Sequence, residues 1–246
     1  MNKINSIIPE LFAGENIICG FTTRTGGVSS QPFDSFNLGT GTTDDINDVF
    51  ENYRIFYNNI GVTQDCAAYM KQVHGDNVVI AEHNGVYPST DSLVTNCKGL
   101  LLGVKTADCL PLLLFDPVSR SIGAVHCGWR SLVSGIAEKT LRLMASHFGS
   151  VPGNIKAAGG QYARSCCYEI GEEIRGQFKP ESVETRDGKL YADLACELLI
   201  RLELEGLVSD NISFYGGCTV CNRNLFFSHR RDGLNSGRML GYIMVK

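Results

Sequence analysis

Basic residues are in short supply: 22 Lys plus Arg face 26 Asp plus Glu, the formal net charge is -4 and the pI is near 5.7. Charges of both signs alternate along the chain, so there is no positive footprint for a nucleic acid. Long apolar runs are also missing, which excludes a helix through a bilayer. The opening segment Met1–Pro9 has no continuous apolar stretch of the kind that marks a secretory leader, and a soluble cytoplasmic protein acting on small molecules is expected. No repeat of fixed period, low-complexity tract or Pro/Gly/Ser linker divides the chain. With 246 residues, 43% hydrophobic and 20% charged, residues 1–246 are expected to form one domain, as a monomer or small homo-oligomer. Histidine is scarce as well, five residues with no His-x-His pair, which excludes the repeated paired imidazoles that house a trinuclear copper cluster.

Cysteine, by contrast, is plentiful at ten residues. A chain this long needs no disulfide staples, and without a leader its thiols are expected to stay reduced. Cys19, Cys66, Cys97 and Cys196 stand apart from any His or basic cluster and read as small core hydrophobes. Cys218-Thr-Val-Cys221 has the spacing of half a zinc ribbon or a redox pair, and Cys166-Cys167 offers further thiolates. A second CxxC is missing and adjacent cysteines ligate one ion awkwardly, so the spacing reads against a second, structural metal.

Strand and helix signals interleave. Leu100–Thr106, Pro111–Phe115 and Ser121–Val125 read as short buried strands, the last two joined by the turn signal Asp116-Pro-Val-Ser119. After Arg130, apolar residues recur at helical spacing from Leu132 to Phe148, predicting one helix of about four to five turns between a Ser131 cap and a Gly149 stop. Asn77–Ile80, Ile212–Tyr215 and Arg238–Val245 read as further strands, and Glu169–Phe178 and Asp193–Leu207 as helices. The class is α/β or α+β with a mixed sheet.

Three compact motifs carry the chemistry: Lys71-Gln-Val-His-Gly-Asp76, Thr106-Ala-Asp-Cys-Leu-Pro111 and Ala124-Val-His-Cys-Gly-Trp-Arg130. Their His74, Cys109 and His126 offer two imidazoles and a thiolate. Three protein ligands leave the fourth corner of a zinc tetrahedron for water or substrate, the arrangement of a catalytic site. Cys109 and His126 fall at strand ends and so open onto one edge of a sheet, while Gly75 permits a tight turn after His74. His83 and His147 lack ligand company and read as surface residues. Asp108 is the candidate for proton handling or for supporting a ligand, although alternation along a strand can turn it away from the ion. Arg230 and Arg231 follow the aromatic pair Phe226-Phe227, read as a strand, and suit an anion such as phosphate; a salt bridge to Asp232 is the plainer reading. Arg24, beside Gly26-Gly27, is a similar case.

The order Phe21-Thr-Thr-Arg-x-Gly-Gly-Val-Ser29, Pro32-Phe-x-Ser-x-Asn-Leu-Gly39, Gln72-Val-His-Gly75, Thr106-Ala-Asp-Cys-x-Pro111, Val125-His-x-Gly-Trp-Arg130, Cys166-Cys-Tyr-Glu-Ile-Gly171 and Phe227-Ser-x-Arg-Arg-Asp-Gly233 resembles the laccase-domain family. That family is also called multicopper polyphenol oxidase and has been reassigned as purine nucleoside phosphorylase with adenosine deaminase activity. The resemblance spans nearly the whole chain. It implies a single-domain layered α/β/β/α sandwich with mixed sheets, like that of cytotoxic necrotizing factor-like cysteine hydrolases, and zinc on His74, Cys109 and His126. It further implies phosphorolysis of adenosine, inosine and methylthioadenosine to base and ribose 1-phosphate or its methylthio analogue, and deamination of adenosine to inosine. Asn37, Arg54, Gln72 and Arg230 match polar positions of the pattern and, with Arg24, are candidates for the substrate and phosphate pocket. The chain departs from the pattern at Gly159-Gly-Gln-Tyr162, where Gly-Pro-x-Ile is usual, and at Ser131, where Gly is usual.

Three rival functions compete with this. Copper can occupy the same donors, which bind it more tightly than zinc, and oxidise phenols. A metal-free hydrolase with Cys109 as nucleophile and His126 as base leaves His74 without a role. A zinc that only braces the fold calls for a fourth protein ligand such as Cys127.

Overall fold

All seven residues of the segment Leu110–Asp116 are buried, as expected for a strand covered on both faces. One face meets a second sheet and the other meets helices, and this sandwiching organises the molecule. The computed structural model describes residues 4–246; the first three residues of the expected domain, and of the Met1–Pro9 segment, lie outside it.

Strands β1 (Ser6–Ile7) and β2 (Ile17–Thr22) open the chain, helix α1 (Ile46–Ile60) follows, and β3 (Ala67–Met70), β4 (Val78–Ile80), β5 (Gly85–Tyr87) and β6 (Ser92–Thr95) come next. The middle consists of β7 (Leu101–Thr106), β8 (Leu110–Asp116), β9 (Ser121–Cys127), α2 (Trp129–Val133), α3 (Ile136–Phe148) and β10 (Lys156–Gly159). The last third adds β11 (Glu169–Ile170), α4 (Glu172–Arg175), β12 (Val183–Arg186), β13 (Lys189–Ala192), α5 (Leu194–Leu204), β14 (Ile212–Phe214), α6 (His229–Asp232) and β15 (Met239–Val245). One six-stranded sheet runs β1-β2-β15-β7-β3-β5, a second runs β14-β10-β8-β9-β6-β4, and β11-β13-β12 form a small third sheet. Both large sheets mix parallel and antiparallel pairs.

The sheets pack face to face through Phe21, Met70, Leu102 and Ile243 from one and Leu93, Leu113, Phe115 and Ala124 from the other. Helix α1 covers the outer face of the first sheet with Tyr53, Phe56 and Tyr57 against Leu101, Leu240 and Tyr242. Helices α3 and α5 cover the second with Ile136, Leu141, Met144, Leu198 and Leu202. The result is the expected α/β/β/α layering, and among the described residues no helix is long and apolar enough to cross a membrane. Phe115 sits at the centre of the inter-sheet layer, fully buried and edge-on to Phe12. Phe115→Ala is expected to cost about 3–5 kcal/mol, measurable as a lower urea midpoint.

The single helix expected after Arg130 is two. Gly135 adopts φ 84°, and its left-handed backbone ends α2 and starts α3; Gly128, not Ser131, caps α2. Gly149, also left-handed, stops α3 as predicted. The expected helix Glu169–Phe178 shrinks to the four residues of α4, because Glu169 and Ile170 pair with Tyr191 and Leu190 of β13. Phe226 and Phe227 lie in a loop whose rings are buried with Met239. Of the four isolated cysteines only Cys19 is buried; Cys66, Cys97 and Cys196 are half-buried.

Candidate metal centre

Strand β7 belongs to the first sheet and β8 to the second, so the turn between them crosses the sandwich edge and carries Cys109 there. His126 lies on β9, with Pro111 of β8 as its cross-strand partner. His74 stands in the loop between β3 and β4 with φ 57°. The ligand atoms of the three residues lie within 4.8 Å of one another, and the two imidazole centroids are 4.7 Å apart. The three motifs, distant in sequence, thus meet at one point.

A residue not singled out in the sequence holds them there. Asp91, fully buried before β6, accepts the backbone N–H groups of Val73 (3.1 Å), His74 (3.0 Å) and Gly75 (2.9 Å). Its Oδ1 also lies 2.8 Å from His126 Nδ1. One carboxylate therefore fixes the backbone turn that presents His74 and the ring orientation that leaves His126 Nε2 for an ion. The only sequence signal was an acid in the polar stretch Ser89-Thr-Asp-Ser92.

The electrostatics match a thiolate site. Burial pushes the Cys109 thiol up, but the adjacent His126 and His74 imidazoles outweigh it and lower the thiol to about 6. Burial pulls His126 down, while the Cys109 thiolate and Asp91 carboxylate raise it to about 9. Burial likewise raises Asp91, and the His126 ring and the loop N–H groups more than reverse this. Metal binding at such a pair displaces the imidazolium proton.

Gly128 closes the floor. A Cβ there sits 2.9 Å from His74 Nδ1 and 3.3 Å from Cys109 Sγ, while its backbone at φ -68° and ψ 156° suits any residue. Gly128→Ala is therefore expected to weaken metal binding at least about tenfold while leaving the metal-free melting temperature within a few degrees, as titration and calorimetry can check. Cys127 points into the helix-covered core with Leu110 and Leu132, so it is no fourth ligand.

The remaining predicted residues separate. Asp108, at φ 88°, turns away from His126: its oxygens accept from Thr219 Oγ1 at 2.5 Å and the Arg230 backbone N–H at 2.6 Å. The carboxylate that supports a ligand is Asp91 instead. Arg230 leans over Tyr168, 4.5 Å from the ring centre, and donates to the carbonyls of Glu169 and Cys167. Arg231 takes the plainer reading, paired with Asp232 and bonded to the carbonyls of Thr219, Val220 and Phe226. Asn37 is fully buried, its amide donating to Thr42 and Asp44 and accepting from the backbone of Gly39 and Arg238. Gln72 exchanges both amide bonds with the Lys105 backbone. Both amides are thus engaged within the protein, Asn37 at all four of these bonds and the half-buried Gln72 at one donor and one acceptor. Arg24 binds Asp34 and the Arg223 carbonyl, and lines a cleft of about 620 Å³ with no triad residue. Arg54 pairs with Glu51 on the exposed face of α1, and among the described residues no hydrogen bond or ion pair joins it to the centre. His83 and His147 are exposed, as expected.

Two further cations, not singled out in the sequence, are electrostatically linked to one another. Burial lowers the half-buried Arg238, opposed by the nearby charges of Cys109 and Asp108, and burial together with Arg238 lowers Lys105. Burial raises the Tyr168 phenol, and the charges of Cys109 and Asp108 raise it further, while Arg230 and Arg130 pull it down. Cys109 thus lies within electrostatic reach of Arg238 and Tyr168, and Tyr168 within reach of Arg230 and Arg130. Arg238 opens a predicted strand and Lys105 sits inside one, positions that carry no site signal in a sequence.

Residues 18–246 match the family model described as multi-copper polyphenol oxidoreductase laccase. The chain is 39% identical over 227 residues to the purine nucleoside phosphorylase of Deinococcus radiodurans, covering 91% of this chain and 87% of that one. It is 31% identical over 249 residues to the purine nucleoside phosphorylase YlmD of Bacillus subtilis, covering 94% and 90%. The crystal structure of YlmD from Geobacillus stearothermophilus superposes with a TM-score of 0.91 at 30% identity, over 97% of this chain and 94% of that one. On these grounds the chain belongs to the multi-copper polyphenol oxidoreductase laccase family.

Proposed function

We propose that the protein is a zinc-dependent purine nucleoside phosphorylase, acting on adenosine, inosine and methylthioadenosine, with adenosine deaminase activity. The observation that carries the reading is the convergence of His74, Cys109 and His126, with Arg238 close enough to feel the charge of Cys109. The relatives named purine nucleoside phosphorylase support it. The donor set fits a metal: two imidazoles, a thiol with a depressed pKa, and a buried carboxylate orienting one ring. Zinc held by these side chains supplies Lewis acidity and water that ionises near neutral pH.

The chain's own residues account for the rest. Phosphorolysis needs an anion site, and we assign it to Arg238, which feels the charge of Cys109, and to Arg230, held beside Tyr168, with Lys105 next to Arg238. Asp108 holds the Arg230 backbone while Tyr168 carries its guanidinium, so Asp108 serves as a positioning residue for phosphate capture rather than as the acid. The reading takes residues 1–246 as one domain, working in the cytoplasm as a monomer or small homo-oligomer. Incubation with inosine is expected to release hypoxanthine and ribose 1-phosphate only when phosphate is present, and adenosine is expected to yield inosine without it. Inosine turnover independent of phosphate contradicts the phosphorylase.

Copper with phenol oxidation is the second reading, favoured by the affinity order of an imidazole–thiolate site and by the family's description. Metal analysis of protein made without added copper, alongside oxidation of a simple phenol, separates the two.

A further inference from the structure

The four cysteines set aside in the sequence meet in space. The sulfurs of Cys166, Cys167, Cys218 and Cys221 all lie within 4.8 Å of one another, with Cys221 Sγ 3.8 Å from Cys166 Sγ and 3.4 Å from Cys167 Sγ. Zinc–sulfur bonds of about 2.3 Å in a tetrahedron place sulfurs about 3.8 Å apart, whereas a disulfide needs about 2.05 Å. The spacing is that of sulfurs around a common centre.

The objection that neighbouring cysteines ligate one ion awkwardly is met by the backbone. Cys166 and Cys167 lie in a turn, where the N–H groups of Cys167 and Tyr168 both donate to the Arg164 carbonyl. Successive side chains in a turn do not alternate as they do on a strand, so both thiols reach one side. Cys218 and Cys221, three apart in the facing turn, are held by the Tyr162–Cys218 bridge and by Asn222 N–H bonding the Cys218 carbonyl. Backbone N–H groups of Arg164, Val220 and Cys221 point at Cys218 Sγ.

The surroundings carry the opposite charge. Arg164 donates to the Gly216 carbonyl, Arg186 to those of Ser165 and Cys166, Arg230 to that of Cys167, and Arg231 to those of Thr219 and Val220. Four guanidinium groups thus grip the two cysteine segments.

We infer that Cys166, Cys167, Cys218 and Cys221 form a second metal site, a structural tetrathiolate that takes zinc. Each thiol gives up a proton to solvent as its Zn–S bond forms, leaving a complex of net charge -2 that Arg164 and Arg230 offset, Arg186 and Arg231 being paired with Glu184 and Asp232. Its effect reaches the first centre, because the clamped segments carry Tyr168, which supports Arg230, and Thr219, which donates to Asp108.

The test is zinc per chain in full-length protein purified under reducing conditions and dialysed against a weak chelator. Two equivalents are expected in the unaltered protein, one in His126→Ala and one in the Cys218→Ser/Cys221→Ser double variant. Cobalt loaded into His126→Ala is expected to show intense sulfur-to-cobalt absorption, which reports the site even where the double variant fails to fold. Retention of no zinc by His126→Ala overturns the inference. So does a native mass two or four hydrogens light, which means the thiols form disulfides.

Discussion

Replacing Cys109 by Ser is expected to remove the metal from the His74/Cys109/His126 centre and to lower kcat/KM for inosine by about a thousandfold or more. A metal ion at a reacting centre is worth several kcal/mol of transition-state stabilisation, and each 1.4 kcal/mol is about tenfold in rate. Serine keeps the volume but not the thiolate: His126 and His74 lower the Cys109 thiol to about 6, whereas a hydroxyl stays protonated. Two imidazoles alone bind zinc weakly, so one equivalent of metal is lost along with activity. A Cys109→Ser protein that kept full metal content and full turnover would remove Cys109 from the centre.

Asp91→Ala is expected to be the most destabilising change near the site. It strands three backbone N–H groups and the Nδ1 side of His126 in a buried position. Each unsatisfied buried donor costs about 1–3 kcal/mol, and breaking a buried charged pair about 3–5 kcal/mol; because these terms overlap, a total near the latter range is expected. Metal affinity should fall a further 10- to 100-fold, since the ring of His126 loses its orientation. The Asp91 carboxyl is held below its ordinary value of 3.8, so its contribution is full above that pH and fades as acid takes the pH through the lower folded value. The gap in melting temperature between the parent and Asp91→Ala should accordingly be large at pH 7 and narrow below about pH 4. A gap independent of pH would mean that the carboxylate's charge is not what matters.

How much of this could be read from the sequence differs by residue, for physical reasons. Cys109 and His126 announced themselves because they sit at the ends of strongly apolar strands, and β8 and β9 pair across the turn that Asp116-Pro117 signals. The α/β class with a mixed sheet was legible from the interleaved strand and helix signals, whereas the layered sandwich was implied by the family resemblance and not by the pattern. The break at Gly135 was missed because apolar spacing continues across it while the backbone does not. Asn37 and Gln72 make internal hydrogen bonds that the sequence did not reveal, because a polar residue in a motif looks the same whether it faces a ligand or satisfies the protein's own backbone. Asp91 was invisible because its partners lie 16 to 18 residues before it and 35 after it. The four-thiol cluster was set aside on local geometry, and only the pairing of two turns some fifty residues apart brings the sulfurs together.

The most direct measurement of the central claim is an anomalous difference map at the zinc edge from crystals of the unaltered protein. The account predicts a peak bonded to His126 Nε2, to a His74 ring nitrogen and to Cys109 Sγ, at about 2.0–2.3 Å from each. No metal density among these three side chains in zinc-replete crystals, with phosphate-dependent turnover of inosine undiminished, would contradict it.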